Sequence, residues 1–149
     1  MTRIDFYFNA ESRLQFANRI ATKALQQKLR IAIFSKDETL TRAVDKLMWS
    51  HPTTGFIPHC VGIDKLADET PVVLVQNTDC PLHLDVLINL DQEPPPRFER
   101  FQRLIEIVSR DDKSDQENAR KRFRFYKDRG YAMAHHNLET LAKGVSNGG

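Results

Sequence analysis

The chain has 149 residues, 40% hydrophobic and 28% charged, with a formal net charge of +2. These values exclude a disordered polypeptide, and a chain of this length buries enough surface to fold without a disulfide or a metal. Cys60 and Cys80 make no disulfide framework, the charged opening MTRIDFYFNAESR lacks a signal peptide's apolar stretch, and no run approaches the ~20 apolar residues of a membrane span, so a reducing, cytoplasmic setting is expected.

Ile4, Phe6 and Phe8 alternate with Arg3, Asp5 and Tyr7, which predicts a first strand. Residues 11–28 place Leu14, Ala17, Ile20, Ala21, Ala24 and Leu25 at the spacing of an amphipathic helix. Arg30 to Phe34 reads as a second strand. Ser35 and Glu38 then form a capping-box pattern for a helix carrying Leu40, Val44, Leu47 and Met48 and ending near Trp49. Residues 50–60, SHPTTGFIPHC, contain Pro52, Gly55 and Pro58 and are expected to be irregular.

Pro71 to Val75 is a third predicted strand, and Leu84 to Leu90, apolar on both faces, an internal fourth. Asp91 to Pro96 reads as a rigid loop and Arg97 to Phe101 as a single helical turn. Leu104 to Val108, rich in β-branched residues, is a further strand. Ser114 or Asp115 can cap a long helix over residues 115–129, which Gly130 would end. Strands alternating with helices predict an α/β single domain over residues 1–143. Its sheet would be mostly parallel with helices on both faces, Rossmann-like in topology but without a nucleotide-binding loop. Residues 144–149 are expected to form a frayed tail.

Recognised catalytic patterns are missing. The first strand is followed by Asn9-Ala10-Glu11-Ser12, with no glycine to cradle a phosphate and a glutamate that would repel one. His51, His59, Cys60, Cys80 and His83 match no zinc spacing, and His135-His136 would point apart on a regular element and read as an exposed pair. No Gly-x-Ser-x-Gly elbow exists, and His59 beside Cys60 is poorly placed to activate it. The expectation is therefore a protein with no catalytic, cofactor or metal site.

Two features carry binding chemistry. On a helix over residues 115–130, Ala119, Phe123, Tyr126 and Gly130 share one side. Arg120, Arg124 and Lys127 form a neighbouring stripe, with Gln116 one turn earlier. Cations beside an aromatic edge suit a short acidic peptide ending in an apolar side chain and a free carboxylate. On spacing alone a solvated face is the favoured reading, and contact with nucleic-acid phosphates is a rival. Phe125 lies away from the core side, either exposed or covering a neighbour. The second feature joins Trp49 to Phe56, Ile57, Pro58 and His59. Trp49, at a helix end, reads as core, whereas Phe56-Ile57 read equally as core or as a partner anchor.

Taken in order, these segments resemble the chi subunit family of bacterial DNA polymerase III. The resemblance covers nearly the whole chain. It rests on the aromatic first strand Ile4-Asp5-Phe6-Tyr7-Phe8, the Leu-x-Trp-x-x-Pro-x-x-x-Phe-Ile-Pro-His segment from Leu47 to His59, and the basic-aromatic segment from Ala119 to Tyr131. It implies a non-catalytic accessory of the clamp-loader complex. One surface would bind the psi subunit, and another the acidic C-terminal tail of single-stranded DNA-binding protein. Carried over by position, the tail site comprises Gln116, Arg120, Phe123, Arg124 and Lys127, shaped by Tyr126 and Gly130. Gln116 stands where family members can have a lysine, which removes one cation, with Lys113 and Lys121 nearby. Trp49 and Phe56 to His59 would meet psi or a repair helicase competing for that face. The alternative is direct binding of single-stranded nucleic acid through the basic helix.

Overall fold

The computed structural model describes residues 2–50, 59–61, 72–76 and 85–140. Among the described residues seven strands form one sheet: β1 (Arg3–Ala10), β2 (Ile31–Phe34), β3 (His59–Val61), β4 (Val72–Val75), β5 (Val86–Asn89), β6 (Arg103–Ser109) and β7 (Met133–Asn137). Their order is β3-β4-β2-β5-β6-β1-β7, and every pairing is parallel. The described residues also form the helices α1 (Arg13–Gln26), α2 (Glu38–Ser50) and α3 (Lys113–Asp128), with a 3-10 turn at Phe98–Arg100. The expected α/β architecture with a parallel sheet covered on both faces is what forms.

The sheet separates two apolar layers. On one face Ala17, Ala21 and Ala24 of α1 and Val44 of α2 pack on Ile31, Ile33, Val86, Ile88 and Ile105. Small residues at helical spacing let α1 lie close to the strands. On the other face Ala119 and Tyr126 of α3 pack on Ile4, Phe6, Phe34, Leu87 and Leu104. The alternation read in β1 is thus real, with Ile4 and Phe6 under α3 and Asp5 and Tyr7 turned to the α1 side. No helix among the described residues is long and apolar enough to cross a membrane.

Several boundaries differ from the sequence reading. Asp37, not Ser35, caps α2: its carboxylate accepts from Thr39 N at 2.9 Å, while Ser35 Oγ accepts from Asp37 N at 3.0 Å. Asp112, not Ser114 or Asp115, caps α3, accepting from Asp115 N at 3.1 Å. Asp115 is instead buried, and its carboxylate accepts from Ser109 N at 2.8 Å. Gly130 does end α3, with φ of 79°. Strand β3 occupies His59–Val61, whose first two residues fell in the segment expected to be irregular, and β7 was not anticipated at all.

Candidate functional site

Helix α3 is held by a buried polar core beneath it. Arg122 and Glu106 of β6 are both fully buried, and Arg122 Nε donates to Glu106 Oε1 at 2.9 Å. Arg122 Nη1 donates to the carbonyl of Gln92 at 3.0 Å, and Asn89 Nδ2 donates to Glu106 Oε2 at 3.0 Å. The Tyr126 hydroxyl also donates to Glu106. Burial pushes the Glu106 carboxyl above its ordinary range despite the charge of Arg122 and these hydrogen bonds. Burial and the neighbouring carboxylate push the Tyr126 phenol up as well. The sequence reading grouped Tyr126 with the binding wall and passed over Arg122. In the structure both are anchors.

With Asp115, Ala119, Arg122 and Tyr126 against the sheet, the helical pitch divides the remaining side chains into two flanks. The flank facing β1 and β7 borders a cavity of about 350 Å³. Val108 and Ala119 contribute apolar surface to its lining, joined by the rings of Phe6, Phe8, Phe123 and His135. The Phe6 and Phe123 centroids are 5.8 Å apart in an edge-to-face pair, and Phe123 and His135 are 5.1 Å apart. Among the described residues the polar lining is Asn9, Ser109, Gln116 and Arg120, with no carboxylate. Phe8, Asn9, Val108 and Ser109 lie toward the carboxyl ends of β1 and β6, the usual ligand position in parallel α/β sheets.

Of the residues expected to form the tail site, Gln116, Arg120 and Phe123 come together at this cavity. Gln116 also ties down the turn before α3, its Nε2 donating to the carbonyls of Ser109 at 3.1 Å and Arg110 at 2.7 Å. Arg120, Arg124 and Lys127 are all exposed, but Arg124 and Lys127 do not line the cavity and continue the stripe beyond it. Tyr126 lies beneath, its ring 6.0 Å from Phe6, and Gly130 ends the helix. Of the second group, Trp49 lies in the last turn of α2 and His59 opens β3, while Phe56, Ile57 and Pro58 lie outside the described residues.

The helix-based reading missed the strand residues of the cavity: Phe6, Phe8, Asn9, Val108, Ser109 and His135. The aromatic alternation of β1 was their one available signal. Asn9 carried none. It adopts a left-handed φ of 64° where the β1–β6 register shifts between Tyr7 and Ala10, and its Nδ2 donates to Asn137 Oδ1 at 3.0 Å. Such a bulge redirects neighbouring side chains. Nor are the two histidines an exposed pair. His135 is exposed at the cavity, whereas His136 is partly buried on the other face, 3.0 Å from Asp5 and stacked 4.4 Å from Tyr7.

Comparison with known proteins adds four findings. The family model described as DNA polymerase III chi subunit, HolC, matches residues 1–134. The DNA polymerase III subunit chi of Pseudomonas aeruginosa is 35% identical over 145 residues, covering 95% of this chain and 100% of that protein. Its counterpart from Haemophilus influenzae is 24% identical over 125 residues, covering 83% and 86%. Among solved structures, the C-terminal domain of S. cerevisiae Dbp5, solved with Gle1 and IP6, superposes with a TM-score of 0.58 at 11% identity. That match covers 93% of this chain and 92% of the other, and shows a shared fold alone.

Proposed function

The chain belongs to the DNA polymerase III chi subunit family, and from that membership we propose that it is a non-catalytic, cytoplasmic linker within the replication machinery. One face joins the clamp loader through psi. The other captures the acidic C-terminal tail of single-stranded DNA-binding protein. The supporting observation is the cavity beside α3, where Arg120 borders a wall of Phe6, Phe123 and His135 with no competing carboxylate among the described residues. A chain end with an apolar last residue meets both needs. Its side chain enters among the rings, and its terminal carboxylate takes the forked donors of Arg120. Arg124 and Lys127 extend positive charge along the same helix for acidic residues upstream.

The test is a calorimetric titration with a peptide copying an acidic, phenylalanine-ending tail. Micromolar binding is expected, about −8 kcal/mol. Arg120→Ala should weaken it by about 1.5–3 kcal/mol, as for a hydrogen bond to a charged group. Amidating the peptide's last carboxyl should weaken binding similarly. Absence of binding, or indifference to both changes, would overturn the reading.

A further inference from the structure

The opposite flank of α3 has no part in the cavity, yet it carries its own aromatic and cationic arrangement. Lys121, Phe125 and Arg129 follow one another at intervals of four residues, so they line one side of the helix and its C-cap. The two cations are exposed and the ring between them is half-buried. The Arg129 guanidinium lies over the Phe125 ring, its carbon 3.7 Å from the ring centroid. On its inner side Phe125 meets the buried Phe98 edge-to-face at 6.5 Å. Phe98 is flanked in turn by exposed Arg97 and Arg100.

We propose that this flank is a contact surface for single-stranded nucleic acid, separate from the cavity and independent of the reading given above. The stacked guanidinium is the central feature. Held over the Phe125 ring, it offers a cationic group on which a base can stack and N–H edges that can reach a phosphate, with part of its conformational freedom already removed. Lys121 and Arg129 are about 12 Å apart along the axis, from the 1.5 Å rise per residue, with the ring midway. A polymer that alternates anionic and flat aromatic groups fits that alternation. Arg97 and Arg100 widen the positive surface across the 3-10 turn, against Glu99, Asp128 and, one turn before Lys121, Glu117 as its acidic neighbours. Duplex DNA hides its base faces, so the ring–guanidinium stack favours the unpaired strand.

The experiment is fluorescence anisotropy of a labelled oligothymidylate titrated with the full chain over a range of salt concentrations. Binding should weaken steeply with salt and exceed that of a duplex of equal length at least severalfold. Replacing both Lys121 and Arg129 by alanine should flatten the log–log salt slope by about 1.4, two phosphates at ~0.7 each, and lower affinity about tenfold or more. Phe125→Leu should lower affinity at unchanged salt slope, which separates stacking from charge. Removing Arg19 and Lys23, exposed on α1 across the sheet, should change little. If Phe125→Leu fails to fold, Lys121→Glu, at an exposed position, carries the test alone. No binding at low salt, equal binding of duplex, equal loss in the Arg19 and Lys23 variant, or full competition by an acidic peptide would each overturn the proposal.

Discussion

Arg122→Met is the perturbation that best tests how α3 is held in place. In the wild type this side chain donates to Glu106 Oε1 at 2.9 Å and to the Gln92 carbonyl at 3.0 Å, both partners of the ion pair being fully buried. Methionine fills much of the same volume but leaves Glu106 as a buried carboxylate with only Tyr126 and Asn89 to satisfy it. Removing one partner of a buried pair costs about 3–5 kcal/mol. For a domain whose total stability is of order 5–15 kcal/mol, that is a large share. With a urea m-value of ~1–3 kcal/mol/M, the midpoint should fall by roughly 2 M at pH 7.

The pH dependence of that loss distinguishes a stranded charge from lost packing. Burial already raises the folded pKa of Glu106 above its ordinary value of 4.5, and loss of Arg122 raises it further. Below the unfolded pKa the carboxyl is protonated in both states and carries no charge penalty. As pH rises through the unfolded and then the folded value, the folded state binds more protons than the unfolded, and stability falls. The deficit of the variant relative to wild type should therefore shrink to about 1–2 kcal/mol at pH 4, the share of the Gln92 hydrogen bond and packing. Urea melts at pH 7 and pH 4 measure both. A deficit under ~1 kcal/mol at pH 7, or one unchanged by acid, would refute the assignment of Arg122 as the counter-charge of Glu106.

Asp5 should show the opposite pH behaviour. Burial raises its pKa, but hydrogen bonds from His136 and Arg103 and the charges of Arg103 and Arg3 outweigh that and hold it below its ordinary 3.8. Its contribution is present above that value and lost as pH falls through the folded pKa. Asp5→Asn should therefore cost about 1.5–3 kcal/mol at pH 7 and progressively less in acid, read by thermal melts at both pH values. Gly130→Ala should cost about 1 kcal/mol from the left-handed backbone alone, since an added Cβ meets nothing within 4 Å; a larger loss in urea melts would point to a hidden clash. Asp112→Ala removes the cap of α3 and should lower the melting temperature by about 3 °C, equivalent to ~1 kcal/mol, with loss of helical signal small.

Periodicity made most of the elements legible. The alternation from Arg3 to Phe8, the alanine spacing of α1 and the left-handed glycine after α3 are local patterns, and each acts through its own neighbours in the chain. Strand β7 was illegible because Met-Ala-His-His-Asn has neither an apolar run nor alternation. It is a strand because Ile4 to Phe8 offer it a ladder from more than a hundred residues away. Strand β3 was hidden for a similar reason, as three residues defined by their pairing with Val72 to Leu74.

The site divides in the same way. Sequence alone determined that α3 is cationic and aromatic, and helical pitch determined which of its residues share a flank. Only the tertiary structure decided what each flank faces. Arg120 and Arg122 are the same side chain two positions apart, and one reaches water at a cavity while the other is fully buried. The difference is a carboxylate on β6, sixteen residues earlier, that makes burying one guanidinium tolerable. Such a preference depends on where distant groups meet, and no local pattern in the chain records it.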